Sequence, residues 1–265
     1  MREEPLSRSD GSGSPGIGQE NRNFAAKVRV VYEDNHLLVV AKPPNMPTQA
    51  DSSHDPDLFG VMKTYVAEKY HKPGAVYLGL VHRLDRPVGG LLVLARTSKA
   101  AERLSKQVQA KTMNREYLAV VRGRPESGEL CDWLLKDPAE NTVRVVPAGT
   151  PGAKEARLSF QALESRDNCT LVRVRLYTGR SHQIRVQLSH AGFPIWGDAR
   201  YGQGQPGEQI ALWGTFLTLI HPTLKEEMHF LSMPPEKHVP WSAFASYIQT
   251  MTERSGKLPP ESGGI

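Results

Sequence analysis

The stretch Cys169-Thr170-Leu171-Val172-Arg173-Val174-Arg175-Leu176-Tyr177-Thr178-Gly179-Arg180-Ser181-His182-Gln183-Ile184-Arg185 changes its periodicity partway. Val172, Val174 and Leu176 alternate with Arg173, Arg175 and Tyr177, the period-two pattern of a strand with one buried and one wet face, and that wet face is cationic. Gly179 then turns the chain into a helix expected from about His182 to Ala191, capped by Ser181 and stopped by Gly192. Free N–H groups at such a helix start suit an anion. Ile184, Leu188 and Ala191 form the buried stripe of the helix and Arg185 lies at its edge, so its guanidinium should be partly buried and in need of a carboxylate or phosphate.

Outward from this stretch, strands are expected at Glu116 to Val121, Thr142 to Val146, Arg157 to Leu163, Ala211 to Leu219 and Met228 to Met233. Upstream, Val28 to Tyr32, Leu37 to Ala41, Val76 to Val81 and Leu91 to Ala95 read the same way, the second of them ended by Lys42-Pro43-Pro44. A helix with Asp55 as N-cap and Pro56 at its first position carries Leu58, Val61, Met62, Tyr65 and Val66 at helical spacing. Another starts at a capping Ser98 and buries Ala101, Leu104 and Val108, and Pro240 opens a last one through Phe244, Ile248 and Met251. Many strands with few helices among them predict an α+β fold on a largely antiparallel sheet. Residues 1–24 and 254–265, rich in Gly, Ser, Pro and charge, are expected to be disordered tails around one body at 25–253.

The chain has 265 residues, 39% hydrophobic and 23% charged, which excludes wholesale disorder. Its best apolar run, Ile210 to Ile220, is broken by Gly214, Thr215 and Thr218 and is too short to span a bilayer. Glu3, Glu4, Asp10 and Glu20 fit neither a signal nor a transit peptide, so a cytoplasmic protein is expected. Two cysteines, Cys131 and Cys169, form no Cys-x-x-Cys pair and supply neither a disulfide framework nor a thiolate zinc site. No motif for a metal, a nucleoside triphosphate or a dinucleotide is found, and no cofactor is expected. Lys and Arg exceed Asp and Glu by 33 to 28. Between Asp167 and Asp198 no acidic residue occurs, whereas Arg173, Arg175, Arg180, His182, Arg185 and His190 do, a local positive field suited to phosphates.

A second constellation is His82-Arg83-Leu84-Asp85-Arg86-Pro87-Val88-Gly89-Gly90, one carboxylate between two guanidinium groups in a polar connection. Nearby cations favour the ionised carboxylate, which suits a nucleophile or base; a plain salt bridge from Asp85 to Arg83 or Arg86 is the other reading. Asp85 is also the candidate partner for Arg185. Tyr117, His82 and His182 taken singly carry no functional signal.

In chain order, Val31-Tyr32-Glu33-Asp34, Ala41-Lys42-Pro43-Pro44, the His-Arg-Leu-Asp loop, Arg115-Glu116-Tyr117-Leu118-Ala119, Thr178 to Arg185 and Gly197-Asp198-x-x-Tyr201-Gly202 resemble the RluA-type family of RNA pseudouridine synthases. The resemblance runs from about Val30 to Pro234. It implies a pseudouridine synthase fold, an α+β domain with a long mixed, mainly antiparallel sheet, flanking helices and a central catalytic cleft. It also implies isomerisation of uridine in RNA without metal or cofactor. By matching position, Asp85 is the expected nucleophile, Arg185 its paired cation and Tyr117 the ring against the target base. Arg83 is expected to fill the space a flipped uridine leaves, with Arg86, Arg173, Arg175, Arg180 and His182 also on the RNA. The expected partner is a single-stranded or loop uridine of ribosomal or transfer RNA, met by a monomer. The residues before Val28 are too few and too polar for a small N-terminal RNA-binding module of the S4 kind. Where the family usually has Thr-Ser-Gly, this chain has Val88-Gly89-Gly90 and lacks two hydroxyls. Two other readings are a non-catalytic RNA-binding protein that keeps the fold, and a hydrolase of nucleosides or glycosides, for which neither motif offers a second carboxylate.

Overall fold

In the computed structural model, which describes residues 21, 24–71 and 73–255, eleven strands share one sheet. In chain order they are β1 (Arg29–Glu33), β2 (Leu37–Lys42), β3 (Gly79–Leu80), β4 (Gly89–Ala95), β5 (Asn114–Arg122), β6 (Gly128–Asp137), β7 (Thr142–Val146), β8 (Lys154–Arg166), β9 (Cys169–Leu176), β10 (Leu212–Ile220) and β11 (Glu227–Leu231). Across the sheet they run β1-β2-β4-β10-β5-β9-β8-β6-β7, with β3 also on β4 and β11 also on β10. Among the described residues only β10 and β4 pair in parallel, through Trp213 with Gly89 and Gly214 with Gly90; every other pairing is antiparallel. Helices α1 (Leu58–Lys69), α2 (Ser98–Gln109), α3 (Gln183–His190) and α4 (Ala245–Ser255) flank the sheet.

The unbroken apolar runs of β2 and β4 are buried along their whole length, as strands covered on both faces must be. On one face Leu38, Val40, Leu92 and Leu94 join Leu58, Val61, Met62 and Val66 of α1. On the other, Leu37, Val39, Leu91 and Val93 join Ala100 and Leu104 of α2. Each such side chain contributes about 1.5–3 kcal/mol by leaving water. Beyond β9 the sheet runs out into β8, β6 and β7, where exposed residues alternate with a few buried ones such as Leu134, Val143, Ala156 and Leu158.

Several local expectations need correction. Helix α1 starts two residues late: Asp57 is the N-cap, its Oδ1 accepting from Gly60 N at 3.0 Å, and Asp55 instead pairs with Arg86. Thr97, not Ser98, caps α2, with Oγ1 accepting from Ala100 N at 3.2 Å. Ser181 does not cap α3; His182 occupies that position at φ 54° with no side-chain cap bond. One of the N–H groups expected to be free there is already used, because Gln183 N donates to Arg180 O at 3.3 Å. The strand expected at Val76 to Val81 is reduced to β3, and a 3-10 turn at Trp241–Phe244 precedes α4. Strand β6 has no counterpart among the expected elements. The expected tails lie outside the described residues apart from 21, 24 and 254–255, the last two closing α4. Among the described residues no helix is long and apolar enough to cross a membrane.

Candidate active site

Asp85 sits on the connection from β3 to β4, which is clamped from three sides. Thr48 Oγ1 donates to Leu84 O at 2.7 Å and accepts from Leu84 N. Gln209 Nε2 donates to Pro87 O at 2.6 Å. Lys42 Nζ, completely buried at the end of β2, donates to Arg86 O at 3.0 Å, Met46 O at 2.7 Å and Pro43 O at 3.0 Å. Burial pulls the Lys42 ammonium down to about 7 against the opposing attraction of Asp85. Its three carbonyl acceptors match the three N–H groups of the protonated form.

Arg185, on α3, is only 6% exposed, deeper than an edge position suggests, because α3 is buried on most sides from Gln183 to Leu188. Its guanidinium divides between two carboxylates. Nε and Nη2 make a bidentate pair with Asp198 at 2.8 Å each, while Nη1 reaches Asp85 Oδ2 at 3.2 Å. Asp198 Oδ1 also accepts from the backbone N–H of Arg200 and Tyr201. Burial alone would raise the Asp198 pKa, but Arg185 and those two N–H groups outweigh it and hold the carboxyl below its ordinary range. Asp198 was not singled out from the sequence; the only signal was its place in Gly197-Asp198-x-x-Tyr201-Gly202.

Tyr117 stands on β5, in the middle of the sheet order, opposite Gly214 on one side and Val174 on the other. It is buried, and burial raises its phenol pKa, Asp85 adding to the effect and Arg115 opposing it. His182 bonds Tyr201 Oη through Nδ1 at 2.6 Å, and burial lowers its pKa despite Asp85. His82 is a core residue: its Nε2 accepts from Val93 N at 3.2 Å, and burial, helped by the charge of Arg115, pushes it down to about 3.

Asp85, Tyr117 and Arg185 line one open cavity of about 1130 Å³ across the centre of the sheet. Arg83, Arg86, Arg180 and His182 line it too, and its wall carries twice as many Lys and Arg as Asp and Glu side chains. Arg86 does not pair with Asp85; it is held by Asp55, Asp51 and Ser53. Arg180 Nε donates to Glu155 O at 2.9 Å. Arg173 and Arg175 do not belong to this group. Val174 lies directly across from Tyr117, so its neighbours on β9 project from the opposite face of the sheet, where Arg173 pairs with Glu116 and stacks on Phe216. Lys42 is the other side chain missed: a lysine closing an apolar run reads as the point where a strand reaches water. Among the described residues no group of three or more His, Cys, Asp or Glu side chains is gathered to hold a metal ion.

Residues 36–190 match the family model of RNA pseudouridylate synthase. The chain is 36% identical over 194 residues to ribosomal large subunit pseudouridine synthase C of Yersinia pestis, covering 72% of this chain but 58% of that one. It is 35% identical over 228 residues to ribosomal large subunit pseudouridine synthase D of Pseudomonas aeruginosa, covering 79% of this chain and 69% of the relative. The solved structure of human RNA pseudouridylate synthase domain containing 4 superimposes with a TM-score of 0.71 at 21% identity, over 86% of this chain and 97% of that one, a likeness of fold. With the family match spanning more than half its length, and with the mixed, mainly antiparallel sheet of that fold, the chain belongs to the RNA pseudouridylate synthase family.

Proposed function

We propose that this chain isomerises uridine to pseudouridine in RNA, with Asp85 as the nucleophile. The observation that carries the reading is the Asp85 carboxylate, lining a cationic cavity beside Tyr117 and held by a single 3.2 Å bond from Arg185, whose Nε and Nη2 are committed to Asp198. About a quarter of the Asp85 side chain is exposed, which leaves its oxygens accessible. The carboxylate attacks C1′ of a flipped uridine and displaces uracil at N1. The base turns within the cavity, C5 attacks C1′ and expels the carboxylate, and the C5 proton leaves while N1 carries one. Nothing is gained or lost overall, so no oxidant, reductant or cofactor is consumed.

Tyr117 supplies a buried ring face for the base, and Arg83 and Arg180 supply phosphate contacts that offset the few kcal/mol of unstacking a flip costs. Arg83 also fills the space the uridine leaves. The protein acts as a monomer, and the cytoplasm is the compartment in which ribosomal RNA, the favoured substrate, would be met. The carboxylate that shares Arg185 with Asp85 does not suit the acid of a hydrolytic reading: Asp198 is 1% exposed and paired at both oxygens.

The test is tritium release from ribosomal RNA labelled at carbon 5 of uracil, with transfer RNA in parallel. Release by the unaltered protein and none by Asp85→Asn is the expected result. Release of free uracil would make the chain a hydrolase. Tight binding without release from either RNA would make it a non-catalytic RNA-binding protein.

A further inference from the structure

Arg115 stands on β5 two residues before Tyr117, so it leaves the same face of the strand about 7 Å further along. It lines the same cavity as Asp85 and Tyr117. Of the other cations lining it, Arg185 has two carboxylates, Arg86 has Asp55 and Asp51, Arg180 has Glu155 O, and Arg200 has Glu140 O and Asn141 O. Among the described residues Arg83, Lys111 and Lys136 meet no acceptor, but all three are exposed, and water solvates them. Arg115 is half-buried, its Nε is sealed from solvent without a hydrogen-bond acceptor, and among the described residues no carboxylate meets its guanidinium. A charge kept in that state is costly unless a ligand completes it.

The backbone is shaped around this unpaired group. A Cβ on Gly179 would fall 3.1 Å from Arg115 Nη2 and 3.2 Å from Nη1, so the missing side chain leaves the guanidinium its place beside the turn into α3. A uracil carbonyl would offer one acceptor and no countercharge. A phosphodiester offers a negative charge and two non-bridging oxygens that match the planar fork of an arginine. One strand repeat from the ring that faces the base is also the distance at which the backbone of that nucleotide lies.

We propose that Arg115 binds a backbone phosphate adjoining the target uridine, in a seat formed with the backbone of Gly179. The proposal rests on the pseudouridine synthase reading for the identity of the nucleotide, though not for the anion. This phosphate is within reach only when the uridine is flipped in, so the contact favours the flipped complex over loose binding. Loss of Arg115 therefore lowers turnover more than it lowers overall affinity.

The experiment compares the unaltered protein with Arg115→Gln and Arg115→Lys, using unmodified ribosomal RNA transcribed in vitro and labelled at carbon 5. Binding is measured across a salt series, and tritium release is followed in single turnover. For Arg115→Gln the expected results are a salt slope shallower by about 0.7, the value for one phosphate on a single strand, and a 10- to 100-fold slower release. Arg115→Lys recovers the slope and part of the rate. The melting temperature of Arg115→Gln stays the same or rises, since the charge removed has no partner in the free protein. An unchanged slope and rate, or a melting temperature lowered by several degrees, would overturn the proposal and make Arg115 a structural residue. A change of slope in a protein that releases no tritium would keep the anion seat while sinking the reaction; tritium release unaffected in Arg115→Gln would do the reverse.

Discussion

Arg185 commits two donors to Asp198 and lends one to Asp85, and this inequality separates holding from reacting. Asp198 is sealed and doubly bonded, whereas Asp85 is partly exposed and held once. Asp198→Asn should therefore cost about 3–5 kcal/mol of stability, as breaking a buried pair does, and should slow turnover about 100-fold through the misplaced guanidinium. Asp85→Asn should abolish turnover with a much smaller loss of stability; urea unfolding beside tritium release checks both, and equal destabilisation would refute the division. His82 allows a pH test. Its pKa is lowered to about 3, against about 6.5 in the unfolded chain, so between those values the unfolded state holds the extra proton. Stability is thus lost as pH falls from about 6.5 towards 3, with a slope of up to about 1.4 kcal/mol per pH unit from this group. In denaturation series the unaltered protein should lose stability relative to His82→Gln on acidification, and the gap between the two should be constant above pH 7. At this scale the pairing of Asp85 with Arg185 was legible because a half-buried guanidinium demands an anion. The prior claim of Asp198 was not, since it depends on where the chain returns after α3.

The entry into β4 at Val88-Gly89-Gly90 shows how elements settle what single residues leave open. A Cβ on Gly89 would strike the Trp213 ring at 2.2–2.9 Å, and one on Gly90, at φ +119°, would meet the Gly214 backbone at 2.3–2.6 Å. The indole of Trp213, anchored by Nε1 to Ser232 O at 3.0 Å, thus occupies the room that the usual serine needs. Gly89→Ser should cost about 1–3 kcal/mol by overpacking. Shortening the ring in Gly89→Ser with Trp213→Leu should recover part of that cost, so a thermal-melting double-mutant cycle should give a coupling of at least about 0.5 kcal/mol; simple additivity would refute the fit. Strands β2, β4, β5 and β9 were readable because they are either uniformly apolar or strictly alternating. Strand β6 was not: Leu130, Trp133, Leu134 and Leu135 follow no period of two, and its pairing with β8 and β7 is decided across the sheet. The helix caps shifted by one or two residues because Asp55 or Asp57, and Thr97 or Ser98, are chemically equivalent candidates until the packing of the helix selects one.

Across the whole molecule, cations are sorted by face. The cavity side carries Arg83 and Arg180, while Arg173 and Arg175 lie on the reverse of the sheet. Sequence alternation identified a cationic face on β9 but could not say which side of the sheet held the cavity; that followed only once Val174 was seen opposite Tyr117. RNA affinity measured against salt should lose about 1.4 of its slope in Arg83→Ala with Arg180→Ala, at about 0.7 per phosphate. Arg175→Ala should leave the slope unchanged, and a comparable loss there would show that RNA wraps both faces.

The parallel seam of β4 with β10 bears on how the chain is made. Asp85 and Arg185 lie 100 residues apart, and β10, which stands between β4 and β5, begins only at Leu212. A nascent chain that has not yet been translated past β10 cannot hold Asp85 and Tyr117 across one cavity, so a ribosome carries no finished site on the polypeptide it is extending until β10 has emerged. Competence towards RNA arrives all at once, when β10 joins the sheet.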